Sequence, residues 1–240
     1  MTEPTVERKF GWVQPQADER DYTFACLKGE AAPDLSTIPK QYIFGRESGF
    51  QYPTLDQGDH PYCVWYSGAW TLGLQEWLPL HGVVPLDPLE EGMLAAVEQL
   101  DGYPRSNGAS IRNWAKAANS LGLLATVNGE QRRLRVGTYV RVNSWQEACQ
   151  AVYFNRLVHF GISVYSDIYD VTESNWTITK WTGGYLGGHA MSIFGYDIEQ
   201  RLFYVQNSWG PGFGRGGVFG LGMDLVFEPA DMAQEAWAYG

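Results

Sequence analysis

The hydrophobic pattern of this chain changes character once, near residue 158, and that change limits the folds open to it. Before it, Tyr66, Trp70, Leu74 and Trp77 recur at steps of four, four and three. That spacing predicts one face of a helix that starts near Cys63 and ends before Pro79. A second helix is expected from Ser110 to Leu121, with Ile111, Trp114, Ala115 and Ala118 on one side and Gly122 as its stop. A third opens at Ser144, where Glu147 three residues on completes a capping-box pattern; Trp145, Ala148, Cys149 and Val152 form its apolar face. After residue 158 the chain turns to short runs rich in β-formers, at 160–166, 190–196, 201–207 and 217–222, divided by Gly and Asp turns. Helices first and antiparallel strands later argue for an α+β fold of two lobes with a cleft between them.

At 240 residues the chain suits one large domain or two small ones. It reads as an arm over 1–55, a mainly helical part over about 56–130 and a mainly β part over about 131–240. The arm is rich in Pro, Gly and charge and has no helical period. Hydrophobic residues make up 45% of the chain, enough for a sizeable core. The 17 basic against 27 acidic residues leave a net charge of −10, which disfavours nucleic acid and anionic membrane as partners. The Arg132–Arg135 run is too short for a nucleic-acid stripe and reads as a solvated turn. The charged N-terminus lacks the apolar stretch of a signal peptide, and no window holds 18 apolar residues, so a soluble, cytoplasmic protein is expected.

Three cysteines, Cys26, Cys63 and Cys149, cannot make a disulfide framework, and an odd number leaves a free thiol. Cys149 on a helix's apolar face and Cys26 beside a strand-like run are expected to be buried. Cys63 differs. It follows a Gly/Pro-rich loop and opens a helix, where unsatisfied N–H groups stabilise an anion and lower a thiol's pKa. A nucleophilic thiolate needs an imidazole partner, and His189 in Gly187-Gly188-His189-Ala190 has the most suggestive setting of the four histidines. Asn207, at the end of the next strand, could hold that ring, and Gln57 on the loop before Cys63 could serve a developing oxyanion. His60 near Cys63 lacks the further ligands a zinc site needs, so no metal is expected. His81 and His159 read as surface or satisfied core histidines. Asp56, Asp59 and Asp197 read as turn caps.

Taken in order, Gln57-Gly58, Cys63, Gly188-His189-Ala190 and Asn207-Ser208-Trp209-Gly210 resemble the papain-like cysteine peptidases. Gly11-Trp12, Arg20-Asp21, Asp56-Gln57-Gly58, Gly108–Arg112 and Gly161–Tyr165 resemble that family's bacterial and phage branch. The resemblance implies a helical lobe carrying Cys63 and a β-barrel-like lobe carrying His189 and Asn207, with the active site in the cleft. It implies peptide-bond hydrolysis through an acyl-thioester, on a protein or peptide substrate, with no cofactor. By resemblance Cys63 is the nucleophile, His189 the base and then acid, Asn207 the orienting group and Gln57 an oxyanion donor with the Cys63 N–H. Trp209 would shield the His189–Asn207 bond. Gly108, Ala109 and Gly188 would line the groove, with Trp209 and Phe213 on the leaving side. Departures are also plain. Pro61-Tyr62 replace a small pair before the cysteine, Phe213 stands for a second tryptophan, and the arm is shorter than the family's usual inhibitory propeptide. Two rivals stand beside this reading: an inactive papain-like binding scaffold, motivated by Tyr62 and the short arm, and a thiol amidase or transpeptidase running the same triad on cell-wall peptides. The oligomeric state has no signal in the sequence.

Overall fold

A computed structural model describes residues 8–27, 34–46, 53–80, 86–127, 129–228 and 234–240. His81 lies outside the described residues. The helices are α1 (Phe24–Leu27), α2 (Cys63–Leu80), α3 (Glu91–Asp101), α4 (Ile111–Ser120), α5 (Trp145–Tyr153) and α6 (Met223–Phe227). The strands are β1 (Gln41–Ile43), β2 (Leu123–Val127), β3 (Glu130–Leu134), β4 (Tyr139–Arg141), β5 (Val158–Tyr165), β6 (Thr177–Ile178), β7 (Tyr185–Asp197), β8 (Leu202–Gln206), β9 (Val218–Gly222) and β10 (Gln234–Tyr239).

Two of the expected helices begin where their caps predict. The Ser110 side chain accepts the Asn113 N–H, and Ser144 accepts the Glu147 N–H. Glu147 does not close the expected box on Ser144. Its carboxylate takes the N–H of Asn143, one residue earlier, at 2.7 Å. Helix α2 passes Pro79 by one residue, because a proline in the last turn forfeits a single backbone hydrogen bond. Its buried side is also not the single stripe expected. Trp65, Ala69 and Leu72 enter one core cluster while Trp70 and Leu74 enter the other. A helix sandwiched between two cores is apolar on two faces, which blurs the periodic signal.

The main sheet runs β4-β10-β5-β7-β8-β9-β6, with β1 paired to β7. Its described pairs are antiparallel except β6–β9, which is parallel. The β-rich lobe is barrel-like but open among the described residues: the path ends at β4 on one side and β6 on the other. Strand β7 pairs β5 over residues 185–193 and β8 over 192–197, with β1 joining at 195–197 and a register shift between Ile193 and Gly195 in the β8 pairing. Hairpin β2–β3 stands apart, and it corrects the reading of the arginine run as a turn. Arg132 and Arg133 lie on β3, and Arg133 pairs with Glu90 at 2.8 Å.

One core cluster gathers α2, α3, α4 and the β2 hairpin with Trp237 and Tyr239 of β10. The other gathers the sheet with α5 and α6. Helix α2 lies between them and carries Cys63 at its first residue, while β7 carries His189. No described helix is long and apolar enough to cross a membrane.

Candidate active site

Cys63, His189, Asn207 and Gln57, far apart in the chain, gather where α2 abuts β7, although no hydrogen bond joins the Cys63 sulfur to the His189 ring. The Ala190 N–H, one residue past His189, points at the Cys63 sulfur at 3.4 Å. His189 Nε2 is 2.8 Å from Asn207 Oδ1, which also accepts the Ser208 N–H at 2.8 Å. An acceptor so engaged requires Nε2 to carry the proton, leaving Nδ1 free for a thiol proton. Nδ1 is buried and makes no hydrogen bond. The Trp209 ring lies 5.1 Å from the imidazole and, with Phe213 edge-on behind it, keeps water from the His189–Asn207 bond. Gln57 is held by Ser208, whose hydroxyl donates to Oε1 at 2.6 Å and whose carbonyl accepts the Gln57 N–H at 2.8 Å.

The cleft is occupied by the chain's own arm. Arg8 donates to Asp56 at 2.5 Å and to the Gly58 and Trp209 carbonyls. The Gln57 amide donates to the Lys9 carbonyl at 3.1 Å, so the group expected to serve an oxyanion is already engaged. The Phe10 ring meets His189 edge-on at 5.7 Å. Beyond it the backbone pairs on both sides: Trp12 N–H to Gly188 O at 2.9 Å, Ala109 N–H to Gly11 O at 2.7 Å, and Val13 N–H to Ala109 O at 2.9 Å. Gly108 has a φ of 96°, and a Cβ there would collide with the Gly11 carbonyl; one at Gly188 would collide with the Trp12 carbonyl. Three of the five expected groove residues, Gly108, Ala109 and Gly188, therefore touch the arm directly through backbone. Trp209 meets it through Arg8 and Phe10. Phe213 packs on Trp209 and Phe219, at the wall of an open depression of about 400 Å³ that Arg8, Tyr169 and Trp209 also line.

Trp12 is the arm's anchor. Its indole lies against Gly161, and its Nε1–H donates to buried Glu235 at 2.9 Å. Glu235 also receives the Trp237 indole and the N–H groups of Ile111 and Arg112. Neither Glu235 nor the docking of Arg8 and Lys9 was legible in the sequence. The one available signal was the small residues at 11, 108, 161 and 188, which permit close backbone approach.

Burial reverses the expected chemistry of the thiol. Desolvation pushes the Cys63 pKa up to about 11, against the lowering effect of the Ala190, Gly11 and Val64 N–H groups. His189 is pushed down to about 4 by desolvation, partly countered by Asn207 and reinforced by the Arg8 charge. With the arm in place the pair is a neutral thiol beside a neutral imidazole, not an ion pair. Of the other cysteines, Cys149 is buried as expected, but Cys26 is exposed on short α1, and none of the three forms a disulfide. His159 is a core histidine with both ring nitrogens satisfied. Asp56 and Asp197 cap turns through the Gly58 and Gln200 N–H groups.

A helix-borne cysteine facing a histidine on the sheet, and an asparagine just past a strand end, defines the papain-like class of fold. Solved structures agree. Xylellain, a cysteine protease from Xylella fastidiosa, superposes with a TM-score of 0.76 at 19% identity, covering 100% of this chain and 98% of that one. Procathepsin B from Trypanosoma congolense gives 0.69 at 12% identity over 97% of this chain and 86% of that one. In sequence, residues 122–236 match the model of the papain family cysteine protease, a span that contains His189 and Asn207. A gut-specific cysteine proteinase of Caenorhabditis elegans is 33% identical over 98 residues, 40% of this chain. That match spans 29% of the relative's length.

Proposed function

We propose that this chain is a cysteine peptidase of the papain-like class, held shut by residues 8–13 of its own arm. The observation that carries the reading is the His189–Asn207 hydrogen bond, screened by Trp209 and set beside a cysteine that opens a helix. In the open state the Cys63 sulfur attacks the substrate carbonyl carbon as its proton passes to His189 Nδ1. The oxyanion forms against the Gln57 amide and the Cys63 N–H. His189 returns the proton to the leaving amine, the C–N bond breaks and an acyl-thioester remains. Water, deprotonated by His189, then hydrolyses the thioester and restores the thiol. Asn207 keeps the imidazole in the tautomer and orientation both steps require. Near-complete mutual coverage with xylellain supports placing the chain beside the bacterial peptidases of this class.

Parallel digestion of casein and purified peptidoglycan tests the activity, with Cys63→Ala as the control. Casein cleavage lost in the variant is the expected result. Release of peptidoglycan fragments alone would replace this reading with a cell-wall amidase. A second reading, an inactive binding scaffold, draws on the occupied cleft and the neutral thiol. It predicts that Cys63 stays inert even after the arm is loosened.

A further inference from the structure

Cys63, Ser67 and Thr71 fall at steps of four on α2 and form a buried polar stripe on a helix whose first turns are mostly apolar. Opposite it lie Ala190 and Ser192 on one face of β7, with His159 of β5 directly across from Ser192. Ser67 Oγ donates to the Cys63 carbonyl at 2.6 Å and lies 2.7 Å from His159 Nε2. His159 Nδ1 lies 2.7 Å from the Tyr239 hydroxyl. Ser192 Oγ lies 3.0 Å and Thr71 Oγ1 2.8 Å from the Ser67 carbonyl; one of the two donates to that carbonyl and the other donates to its fellow hydroxyl. The two hydroxyls are 2.6 Å apart. All of these side chains are buried.

Proton counting orders the chain. The single Ser67 proton goes to the Cys63 carbonyl, so His159 must donate from Nε2. A neutral imidazole then accepts at Nδ1, from the Tyr239 hydroxyl. Burial keeps His159 neutral by lowering its pKa to about 3. Every polar hydrogen on the path from Tyr239 through His159 and Ser67 to the Cys63 carbonyl therefore has an acceptor. Apolar contacts between α2 and β7 are non-directional and tolerate sliding, whereas a satisfied buried polar network accepts one register.

We propose that this spine of Ser67, Thr71, His159, Ser192 and Tyr239 is a positioning device. It fixes the helix that carries Cys63 against the strand that carries His189. The residues touch no substrate; they act through the placement of the thiol relative to the imidazole. The inference rests on the peptidase reading and deepens it.

The test uses full-length chains with Trp12→Ala, which loosens the arm, as the parent. Ser192→Ala removes the tie from β7. His159→Phe removes the tie from β5, and His159→Gln restores a donor and an acceptor. Peptide hydrolysis is normalised to folded protein, and alkylation of Cys63 is followed from pH 4 to 9. Misplacement by a fraction of an ångström lowers kcat and the alkylation rate by about 10- to 100-fold and shifts the acid limb of the pH profile. KM stays within about two-fold, and His159→Gln recovers most of the rate. A purely structural role gives lower melting temperatures with kcat per folded molecule and the pH profile unchanged, and that result overturns the proposal. Should His159→Phe fail to fold, Ser192→Ala decides alone. An inert parent refutes the peptidase reading itself and takes this inference with it.

Discussion

Replacing Trp12 by alanine shifts the balance between the closed and open cleft. The side chain is buried, and its indole donates to Glu235 at 2.9 Å. Truncating a buried tryptophan costs about 3–5 kcal/mol. At about 1.4 kcal/mol per tenfold, the ratio of open to closed forms rises by roughly 100- to 4,000-fold. Glu235 keeps three donors, from Trp237, Ile111 and Arg112, so its carboxylate is not stranded and the loss falls on the arm. The second-order rate of Cys63 labelling by an epoxysuccinyl inhibitor measures the open fraction. It should rise by the same factor until the open form predominates. A folded Trp12→Ala chain that labels at the wild-type rate would refute the reasoning that the arm closes the cleft.

Other perturbations address single links. Gln57→Ala removes one oxyanion donor and should lower kcat by about 10²- to 10³-fold with little change in KM, read by steady-state kinetics in the Trp12→Ala chain. Arg8→Ala removes a cation that disfavours the imidazolium, so the His189 pKa should move up from about 4, followed by NMR of its ring protons. In the wild type neither His189 nor His159 should titrate between pH 8 and 5.5; a His189 midpoint near 6.5 would mean an open cleft. Both native pKa values lie below the unfolded value of about 6.5. Their penalty is absent above that pH and grows as pH falls toward 4, by at most about 1.4 kcal/mol per histidine per pH unit. Denaturant midpoints from pH 7 to 4.5 should therefore be steeper in the wild type than in a folded His159→Gln chain.

How much of this was legible in the sequence depended on whether the signal was local. Ser110 and Ser144 announced their helices because capping is a contact within one turn. Gln57, Cys63, His189 and Asn207 were picked out by the resemblance of the short motifs that hold them, whose order along the chain is visible even when their partners are remote. Helix α3 carried no cap, since Glu90 makes no side-chain capping bond, and it went unmarked. Strand β10 also went unread, yet it brings Glu235 to the arm and Tyr239 to His159. The arm's path is written in backbone hydrogen bonds, which almost any sequence can make. The thiol's raised pKa follows from that path: a helix N-terminus favours the anion, but burial under the arm outweighs it. Cys26 was expected inside and is exposed, because α1 is too short to bury all its sides.

The central claim is that Cys63 is a nucleophile once the arm yields. Peptide mapping of the full-length Trp12→Ala chain after epoxysuccinyl treatment tests it most directly. The exposed Cys26 and buried Cys149 provide internal controls in the same molecule. The account predicts one adduct, on Cys63, abolished by His189→Ala. An adduct confined to Cys26, or none on a folded chain, would contradict it.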